Sequence, residues 1–173
     1  RGRAVSRGRR RDFPAMSGKK VKNDAPVIEN RRARFDYFIH DTLETGIVLD
    51  GTEVKPIRAG NCSIGEGYVK VEISPPRLLL FGMTVGEYQP AGSRQHVSDR
   101  ARTLLAHRSE IEKLHRQVMQ KGMTIVPLRL YFKNGYAKVL IGVAEGKAAH
   151  DKRESIAERE AKRDMDRAMS RRL

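Results

Sequence analysis

The chain has 173 residues, a single cysteine and a formal net charge of +14. This length suits one domain, and one cysteine excludes an intramolecular disulfide and a cysteine-rich zinc site. No apolar run approaches the ~18 residues of a membrane span, and no apolar segment of a secretion signal follows the basic N-terminus. A reducing, cytoplasmic setting without membrane contact is therefore expected.

The positive charge is unevenly distributed along the chain. Lys/Arg outnumber Asp/Glu by 12 to 3 in residues 1–34, by 14 to 11 in residues 35–144 and by 9 to 7 in residues 145–173. Residues 1–29 are poor in apolar side chains, so a disordered basic arm that attracts phosphate backbones is expected there. Met16-Ser17-Gly18 has the form of an ordinary start, and residues 1–15 are expected to be an upstream extension.

Residues 30–146 are predicted to form the folded domain, which opens with the aromatic and aliphatic segment 35–49. This segment is expected to be a strand that bends near Gly46, where the missing side chain permits a bulge or a close backbone approach. A helix over residues 36–44 is the alternative interpretation.

The stretch Gly51–Gly60 predicts a short helix. Thr and Glu after the first glycine are typical of a helix start, and the second glycine is typical of a helix end. Val54 and Ile57 are one helical turn apart and would share the inward face. The charged side chains of the stretch would then lie on or near the solvent side: Glu53, Lys55 and Arg58.

A first β-hairpin is predicted at residues 68–83. Apolar and polar residues alternate over 68–73, two prolines interrupt the pattern, and an apolar strand resumes at 78–83. The two strands would be joined by a loop at 74–77.

A loop and a helix are predicted to follow. Residues 86–99 are polar and contain Gly and Pro, which indicates the loop. The helix is indicated by apolar residues at roughly helical spacing, namely Leu104, Leu105, Ile111, Leu114 and Val118. Ser109 and Glu112 have the spacing of a capping box, so the main helix would begin at 109, with 100–107 as a separate turn.

The strongest local signal is a second hairpin, with strands at 124–132 and 136–143. Asn134-Gly135 lies between them, and this pair is the preferred two-residue turn because both positions need positive φ. Pro127 cannot donate a ladder hydrogen bond, so its amide is expected at a sheet edge or a bulge.

Residues 147–173 form a tail rich in charge and in good helix formers, with Glu158 and Lys162 at the spacing of a helical ion pair. Its apolar stripe is too thin to dock firmly and consists of Ala157, Ala161, Met165, Ala168 and Met169. The tail is expected to be disordered or frayed alone and helical against a partner. A solvated helical tail without function is the alternative.

No catalytic or cofactor-binding pattern is present. The histidines are scattered, and the chain has no HExxH arrangement, P-loop or GxGxxG fingerprint. No enzyme activity, catalytic residue, metal or cofactor is therefore expected.

Together the elements predict a mainly β protein with α-helices: a small antiparallel β-barrel with peripheral helices. Small barrels of this kind often carry nucleic-acid sites, and their proteins usually recognise structured RNA by shape. An RNA-binding module is therefore the function that the residues themselves indicate.

Four separated motifs carry a resemblance to a known family. They occur in the order Asn30-Arg31-Arg32-Ala33-Arg34, Glu44–Lys55, Leu128–Gly135 and His150-Asp151-Lys152-Arg153. The series resembles the SsrA-binding protein family, also called small protein B or the tmRNA-binding protein, over about residues 19–168.

The resemblance implies an oligonucleotide-binding-type barrel and a function in trans-translation. The protein would bind the tRNA-like domain of transfer-messenger RNA (tmRNA), deliver it to stalled ribosomes, mimic the anticodon stem and probe the empty mRNA channel with its tail. The implied partners are tmRNA and the 70S ribosome, including the small subunit and its 16S rRNA, with one protein monomer per tmRNA. The alternative is a generic structured-RNA or ribosome-binding barrel without tmRNA specificity.

The resemblance also implies the site residues. The tmRNA-binding residues would be Asn30, Arg31, Arg34, Glu44, Lys55, Leu105 and Lys138. The residues at the ribosomal decoding centre would be His150, Asp151, Lys152 and Arg153, with the His150 imidazole stacking on an rRNA base. Glu44 has two interpretations: an acceptor for base amino groups or 2′-hydroxyls, or a salt bridge to Arg34 or Lys55.

Overall fold

The computed structural model of the protein describes residues 25–119 and 122–148, together with residues 151, 160, 163, 165, 167 and 169. Its strands are β1 (Ile28–Glu29), β2 (Tyr37–Ile47), β3 (Cys62–Ser63), β4 (Tyr68–Ile73), β5 (Pro76–Phe81), β6 (Thr84–Val85), β7 (Arg102–Leu105), β8 (Met123–Lys133) and β9 (Tyr136–Gly146). Its helices are α1 (Ala33–Asp36), α2 (Gly51–Arg58) and α3 (Arg108–Val118), and Gln89–Arg94 form a 3₁₀ segment.

Seven strands form one antiparallel sheet in the order β1-β8-β9-β2-β7-β5-β4, and β3 pairs with β6 in a separate ribbon. The prediction of a mainly β, antiparallel protein with helices is confirmed. Strands β1 and β4 are the edges of the sheet, so backbone hydrogen bonds do not close the described strands into a barrel.

The second predicted hairpin is confirmed as β8 and β9. Asn134 and Gly135 have φ angles of 53° and 83°, as their turn requires. The pairing of β8 with β9 shifts register between Pro127 and Arg129. The proline therefore lies at a bulge, one of its two expected positions.

The strand predicted at 35–49 begins later than expected, because α1 precedes it and β2 starts at Tyr37. Its bulge falls at His40, where the pairing with β9 shifts register, and not near Gly46. Gly46 instead permits a close approach to β7, because a Cβ at this position would lie 3.3 Å from the Leu105 Cβ.

The predicted short helix is α2, and Ile57 is buried as expected. The expectation that Glu53 lies near solvent is wrong, because its side chain is 0% exposed. Its carboxylate accepts from the Asp50 N–H at 2.8 Å and from the guanidinium groups of Arg100 and Arg102 at 2.6 and 2.7 Å. These arginines come from a distant part of the chain, so the local pattern could not reveal them.

Arg102 is the buried counterpart of Glu53. Its guanidinium also donates to the carbonyl oxygens of Met83, Ser98 and Arg100, at 2.6, 2.9 and 2.9 Å. The buried cation therefore has a counter-charge and several acceptors, which burial of an arginine requires. The network ties α2 to the segments that precede β6 and β7.

The first predicted hairpin is present as β4 and β5, but its loop is shorter than expected. Ile73 pairs with Pro76, so only Ser74 and Pro75 connect the strands. A proline is tolerated at the first residue of a strand, and β5 begins at Pro76. The two prolines therefore made the loop look two residues longer than it is.

The separate turn predicted at 100–107 is wrong, because β7 occupies this place between β2 and β5. Leu104 is buried and Leu105 is 57% exposed, the alternation of a strand. The two adjacent leucines also fitted an N-terminal extension of the helical spacing, which made the sequence ambiguous.

The predicted helix is α3, but it begins at Arg108 and not at Ser109. The carboxylate of Glu110 accepts from the His107 N–H at 2.7 Å, so the cap lies two residues earlier than expected. The helix buries Ile111 and Leu114 and packs against β4 and β5.

The main apolar core lies between the sheet, α2 and α3. Fully buried members include Ile57, Leu78, Leu80, Ile125, Leu130, Val139 and Ile141. Cys62 packs against this core, and burial raises the pKa of its thiol to about 11. A smaller cluster, formed by Ala33, Val126, Leu128 and Ala144, lies where α1 packs against β8.

Residues 1–24 of the predicted arm and most of the tail lie outside the described residues. Residues 28 and 29, at the end of the predicted arm, form β1 and pair with β8. The disorder of residues 1–24 and the behaviour of the tail stay predictions, as do the domain limits. The described tail positions 151, 160, 163, 165, 167 and 169 have helical backbone.

Candidate nucleic-acid interface

The register of four neighbouring strands collects several of the predicted RNA-binding residues on one side of the sheet. One row across β8, β9 and β2 is Arg129–Leu140–Glu44, and the next row, which extends to β7, is Tyr131–Lys138–Gly46–Leu105. Directly paired residues share a face, and so do residues two apart on a strand. The intervening Thr45 and Val139 are buried, so these rows lie opposite the core. We call the two rows, together with Lys133, the outer face.

Glu44 is at the centre of a hydrogen-bonded cluster on the outer face. The Tyr131 hydroxyl donates to its Oε2, the Lys133 ammonium lies 3.3 and 3.1 Å from its two oxygens, and the Lys138 ammonium lies 4.0 Å from Oε1. The Tyr131 hydrogen bond, followed by those from Lys133, lowers the pKa of Glu44. Burial, followed by the hydrogen bond to Glu44, raises the pKa of Tyr131 to about 12. Glu44 is therefore an ionised acceptor and Tyr131 a neutral donor at neutral pH.

The partners of Glu44 differ from those proposed for it from the sequence. Its salt bridge is made with Lys133 and Lys138, and not with Arg34 or Lys55. The reason is the order of the strands. Lys138 lies on β9, which is next to β2, and Lys133 lies on β8, which is next to β9. The expected partners lie instead on α1 and α2. The Glu44 side chain is 34% exposed, so the carboxylate also remains accessible to an RNA donor.

The outer face has an apolar side next to its charged centre. Leu105 lies beside Gly46 in the second row, and the glycine leaves no side chain between the leucine and Lys138. Val48 continues the same side of β2 and is 45% exposed. An exposed leucine and valine beside a lysine give a surface on which a ribose or a base can pack while the ammonium meets phosphate.

Two arginines border the first row. Arg31 and Arg34 line a shallow groove together with Leu128, Arg129 and Leu140, and both arginines are exposed. Arg129 pairs with Glu29 at 2.9 Å. Since Arg129 and Leu140 belong to the first row, the groove is continuous with the outer face.

Asn30 is buried, unlike the exposed Arg31 that follows it. It is 6% exposed, and its amide donates to the carbonyl oxygens of Ile64 and Pro127 at 3.2 and 3.0 Å. Its Oδ1 accepts from the Ala33 N–H at 3.0 Å, at the start of α1. The side chain thus holds the segment that carries Arg31 against β8, and its contact with RNA stays a prediction.

Lys55 lies on α2, outside the two rows. Its ammonium donates to the Tyr88 hydroxyl at 2.6 Å and lies 4.8 Å from the centroid of the same ring. The side chain is exposed, so the structure groups it with the 3₁₀ region and not with Glu44 or Lys138.

The predicted decoding-centre residues are only partly described. His150, Lys152 and Arg153 lie outside the described residues. Asp151 is described, and its Oδ2 accepts from the Ala148 N–H at 3.0 Å. This return contact is the form in which an acid three residues on supports a helix start.

Arg129 and Leu140 of the outer face were not predicted as site residues from the sequence. Neither were Tyr131 and Lys133, the two side chains that hydrogen-bond to Glu44. The signal for both is the alternation in β8, because every second residue from Arg129 points to the same side. Their contact with Glu44 depends on strand order, which the local pattern does not contain.

The described residues contain neither a metal-binding cluster nor a membrane-spanning helix. No group of three or more His, Cys, Asp or Glu in that part of the chain could hold a metal ion. None of its helices is long and apolar enough to cross a membrane.

The fold and this site define a class of protein. A small, mainly β protein displays lysines, a carboxylate acceptor and an apolar surface on one sheet face, with exposed arginines beside it, an arrangement suited to structured RNA. The SmpB protein family matches residues 27–171, and the chain belongs to this family.

Related proteins and a solved structure agree with this assignment. The chain is 48% identical over 143 residues to an SsrA-binding protein of Acetivibrio thermocellus, covering 83% of this chain and 92% of that protein. It is 47% identical over 160 residues to an SsrA-binding protein of Thermobifida fusca, covering 91% and 99%. A solved structure described as "tmRNA-SmpB: a journey to the center of the bacterial ribosome" is 43% identical, with a TM-score of 0.62 and coverage of 76% of this chain and 95% of that chain.

Proposed function

We propose that the protein binds the tRNA-like domain of tmRNA and acts in trans-translation on stalled ribosomes. The observation that carries the proposal is the cross-strand register, which unites Glu44, Lys138 and Leu105 on one exposed face. Membership of the SmpB protein family supports it, as do relatives named SsrA-binding protein and a related structure described in terms of tmRNA and the bacterial ribosome.

Each part of the interface has a distinct task in this proposal. Lys133 and Lys138 neutralise phosphates, and Leu105 packs against a ribose or a base. Glu44 accepts from base amino groups or 2′-hydroxyls, which distinguish RNA from DNA. Arg31 and Arg34 extend the contact along the phosphate backbone of the RNA.

Two of the predicted RNA-binding residues, Asn30 and Lys55, lie outside the outer face and have other roles in the proposal. Asn30 acts through its hold on the segment of Arg31 and Arg34. Lys55 supplies a separate contact from α2, outside the outer face and beside Tyr88. The buried position of Asn30 and the exposed position of Lys55 support these assignments.

The sheet itself is proposed to be an oligonucleotide-binding-type barrel. The edge strand β4 packs against β8, near the opposite edge of the sheet. No backbone hydrogen-bond ladder joins these two strands. Packing of β4 on β8 closes the core in such an arrangement, while the outer face stays open to RNA.

The tail is proposed to work on the ribosome. The body of the protein mimics the anticodon stem, the tail probes the empty mRNA channel as a helix, and residues 150–153 approach the decoding centre and its 16S rRNA. The protein acts by binding, without catalysis or a cofactor, in the cytoplasm and as one monomer per tmRNA.

Competition binding tests the proposal. The full chain is titrated with the tRNA-like domain of tmRNA, with elongator tRNA as competitor, at two salt concentrations. Tight binding that survives tRNA at physiological salt is expected. Equal binding to both RNAs that collapses steeply as salt rises would favour generic attraction by the basic arm and contradict the proposal.

Deletion of residues 150–173 separates binding from rescue. We expect tmRNA affinity to stay nearly unchanged, because the outer face and its groove lie before the tail. Tagging of stalled chains in a reconstituted translation system should be abolished. A loss of affinity in this variant would contradict the division of labour between body and tail.

A further inference from the structure

Lys147, the first residue after β9, is held against the start of β2 and the end of α1 by three contacts. Its N–H donates to the Asp36 carbonyl at 2.9 Å. Its ammonium donates to the Arg34 carbonyl at 3.2 Å and lies 4.9 Å from the centroid of the Phe38 ring. The side chain is half-buried, although the two residues before it are exposed.

The three contacts have separate physical origins. The N–H bond extends the pairing of β9 with β2 by one residue beyond Gly146. The Arg34 carbonyl belongs to the last turn of a short helix, where carbonyl groups lack partners within the helix and accept from lysine side chains. The face of the Phe38 ring attracts the same ammonium. Backbone and side chain together therefore fix the chain direction at Lys147.

The tail begins immediately after this point. The Ala148 N–H is bonded to the Asp151 carboxylate at 3.0 Å, and Asp151 has helical backbone. Asp151 follows the fixed residue by only four positions, so the direction imposed at Lys147 is passed on to the described start of the tail.

The other end of the contact lies in the RNA-binding part of the molecule. The α1 segment carries Arg34, follows Arg31 and is held to β8 through Asn30. Lys147 therefore joins the segment that borders the outer face to the segment from which the tail departs.

We propose that Lys147 is a positioning residue that sets the direction in which the tail leaves the sheet. The inference rests on the proposed function, in which the body holds tmRNA while the tail enters the mRNA channel. Without the ammonium contacts the tail samples more directions, so a smaller fraction of bound complexes presents it to the channel. Affinity for tmRNA is not affected, because Asn30 still holds the segment of Arg31 and Arg34 to β8 and the outer face is unchanged.

Three variants of the full chain test the proposal. Lys147→Met keeps the aliphatic stem and removes the charge, Phe38→Leu removes the ring and keeps the lysine charge, and Lys147→Arg restores a cation. Lys70→Met is the matched control, because Lys70 is an exposed lysine on β4 that pairs with Glu72 and belongs neither to the outer face nor to the contacts of Lys147.

Two readouts are used for each variant. One is the tagging rate on stalled ribosomes at saturating tmRNA–protein complex, with tmRNA affinity measured in parallel. The other is the distance distribution between dyes on Asp99→Cys and Met169→Cys, which needs no RNA. The raised pKa of Cys62 keeps its thiol protonated at neutral pH, so labelling favours the introduced cysteines.

Lys147→Met and Phe38→Leu should each lower the tagging rate by about two- to fivefold, the range that an exposed cation–π contact supports. Both should broaden the distance distribution, leave tmRNA affinity unchanged and preserve the thermal unfolding midpoint. Lys147→Arg should recover most of the wild-type behaviour, and Lys70→Met should match wild type throughout.

Two outcomes would overturn the proposal. Unchanged distance distributions in both Lys147→Met and Phe38→Leu would show that the contacts do not direct the tail. A slow Lys147→Met beside a normal Phe38→Leu would show that Lys147 acts as a direct ribosome contact. If wild-type protein fails to bind tmRNA, the proposed function fails, whereas the distance readout still decides the role of Lys147.

Discussion

Glu44 and Glu53 each accept hydrogen bonds from cationic side chains, but they lie in opposite environments. Glu53 lies on the buried face of α2, with Arg102 fully buried against it. Glu44 lies on the outer face, where Lys133 remains more than half exposed. In both cases the pKa of the carboxyl is lowered, although burial alone would raise that of Glu53.

The difference shows how one kind of ion pair serves two purposes. A buried pair whose acceptors and donors are all matched cannot exchange partners without leaving a charge uncompensated. An exposed pair is weak and can release its lysine to a phosphate as RNA approaches. The Glu53 network therefore belongs to the fold, and the Glu44 cluster belongs to the proposed interface.

The largest effect is expected from Glu53→Gln. The variant leaves the buried Arg102 without a counter-charge, so the free energy of unfolding should fall by about 3–5 kcal/mol. Urea denaturation measures it, with Glu44→Gln as the exposed counterpart. Equal, small changes in the two variants would remove the distinction between the two regions.

Asn30→Ala should have the next largest effect. It leaves the carbonyl groups of Ile64 and Pro127 without their donor, which should lower the free energy of unfolding by about 1–3 kcal/mol. Affinity for tmRNA should also fall, because the segment of Arg31 loses its anchor. Lost affinity with unchanged stability would instead indicate a direct contact between Asn30 and RNA.

Acid should weaken the buried network in a defined direction. The folded-state pKa of Glu53 is below the ordinary value of 4.5, so its contribution to stability is complete above pH 4.5 and is lost as the pH falls through the lowered pKa. Wild type should lose more unfolding free energy than Glu53→Gln over that interval. Parallel pH profiles from urea titrations would contradict this sign.

Glu44→Gln should act on binding and hardly on stability. The neutral amide is a weaker acceptor for RNA donors, so tmRNA affinity should fall about tenfold, and more than affinity for elongator tRNA. Glu72→Gln is the matched control, because Glu72 is likewise paired with two cationic side chains, Lys70 and Arg77, but lies on β4. An equal loss in both variants would mean that only the overall charge matters.

Tyr131→Phe should give the smallest change. It removes one hydroxyl that fixes Glu44, so tmRNA affinity should fall about two- to threefold, and the pKa of Glu44 should rise toward its ordinary value. Carboxyl NMR titration and a double-mutant cycle with Glu44→Gln measure both effects. Additive losses in the cycle would show that Tyr131 acts independently of Glu44.

The parts of the fold that could be predicted from sequence are those with a local cause. Asn134-Gly135 encodes its own turn, and Gly51–Gly60 contains its helix. Strand β7 was missed because a pair of leucines fits a strand and a helix equally well, and only its neighbours β2 and β5 decide between them. The burial of Glu53 depends on Arg102, which is distant in the chain.

The sequence could supply some members of the outer face but not its geometry, and the contact of these residues with RNA stays a prediction. The motifs that resemble the SsrA-binding proteins supplied Glu44, Lys138 and Leu105, and the strand register then placed them on one face. The partners of Glu44 could not be inferred, because they depend on the order of β8, β9 and β2 in the sheet. Tyr131 and Lys133 became visible only through that order.

The alternation of side chains along β2 also determines which mutations this strand tolerates. A substitution at one position of β2 alters one contact, so its effect is graded. Deletion of a single codon between His40 and Glu44, with the preceding part of β2 kept in register, would turn Glu44 toward the core and Thr45 toward solvent, exchanging the two sides of the strand. Length variation in β2 should therefore be selected against much more strongly than replacement, whereas the exposed 3₁₀ region should accept both.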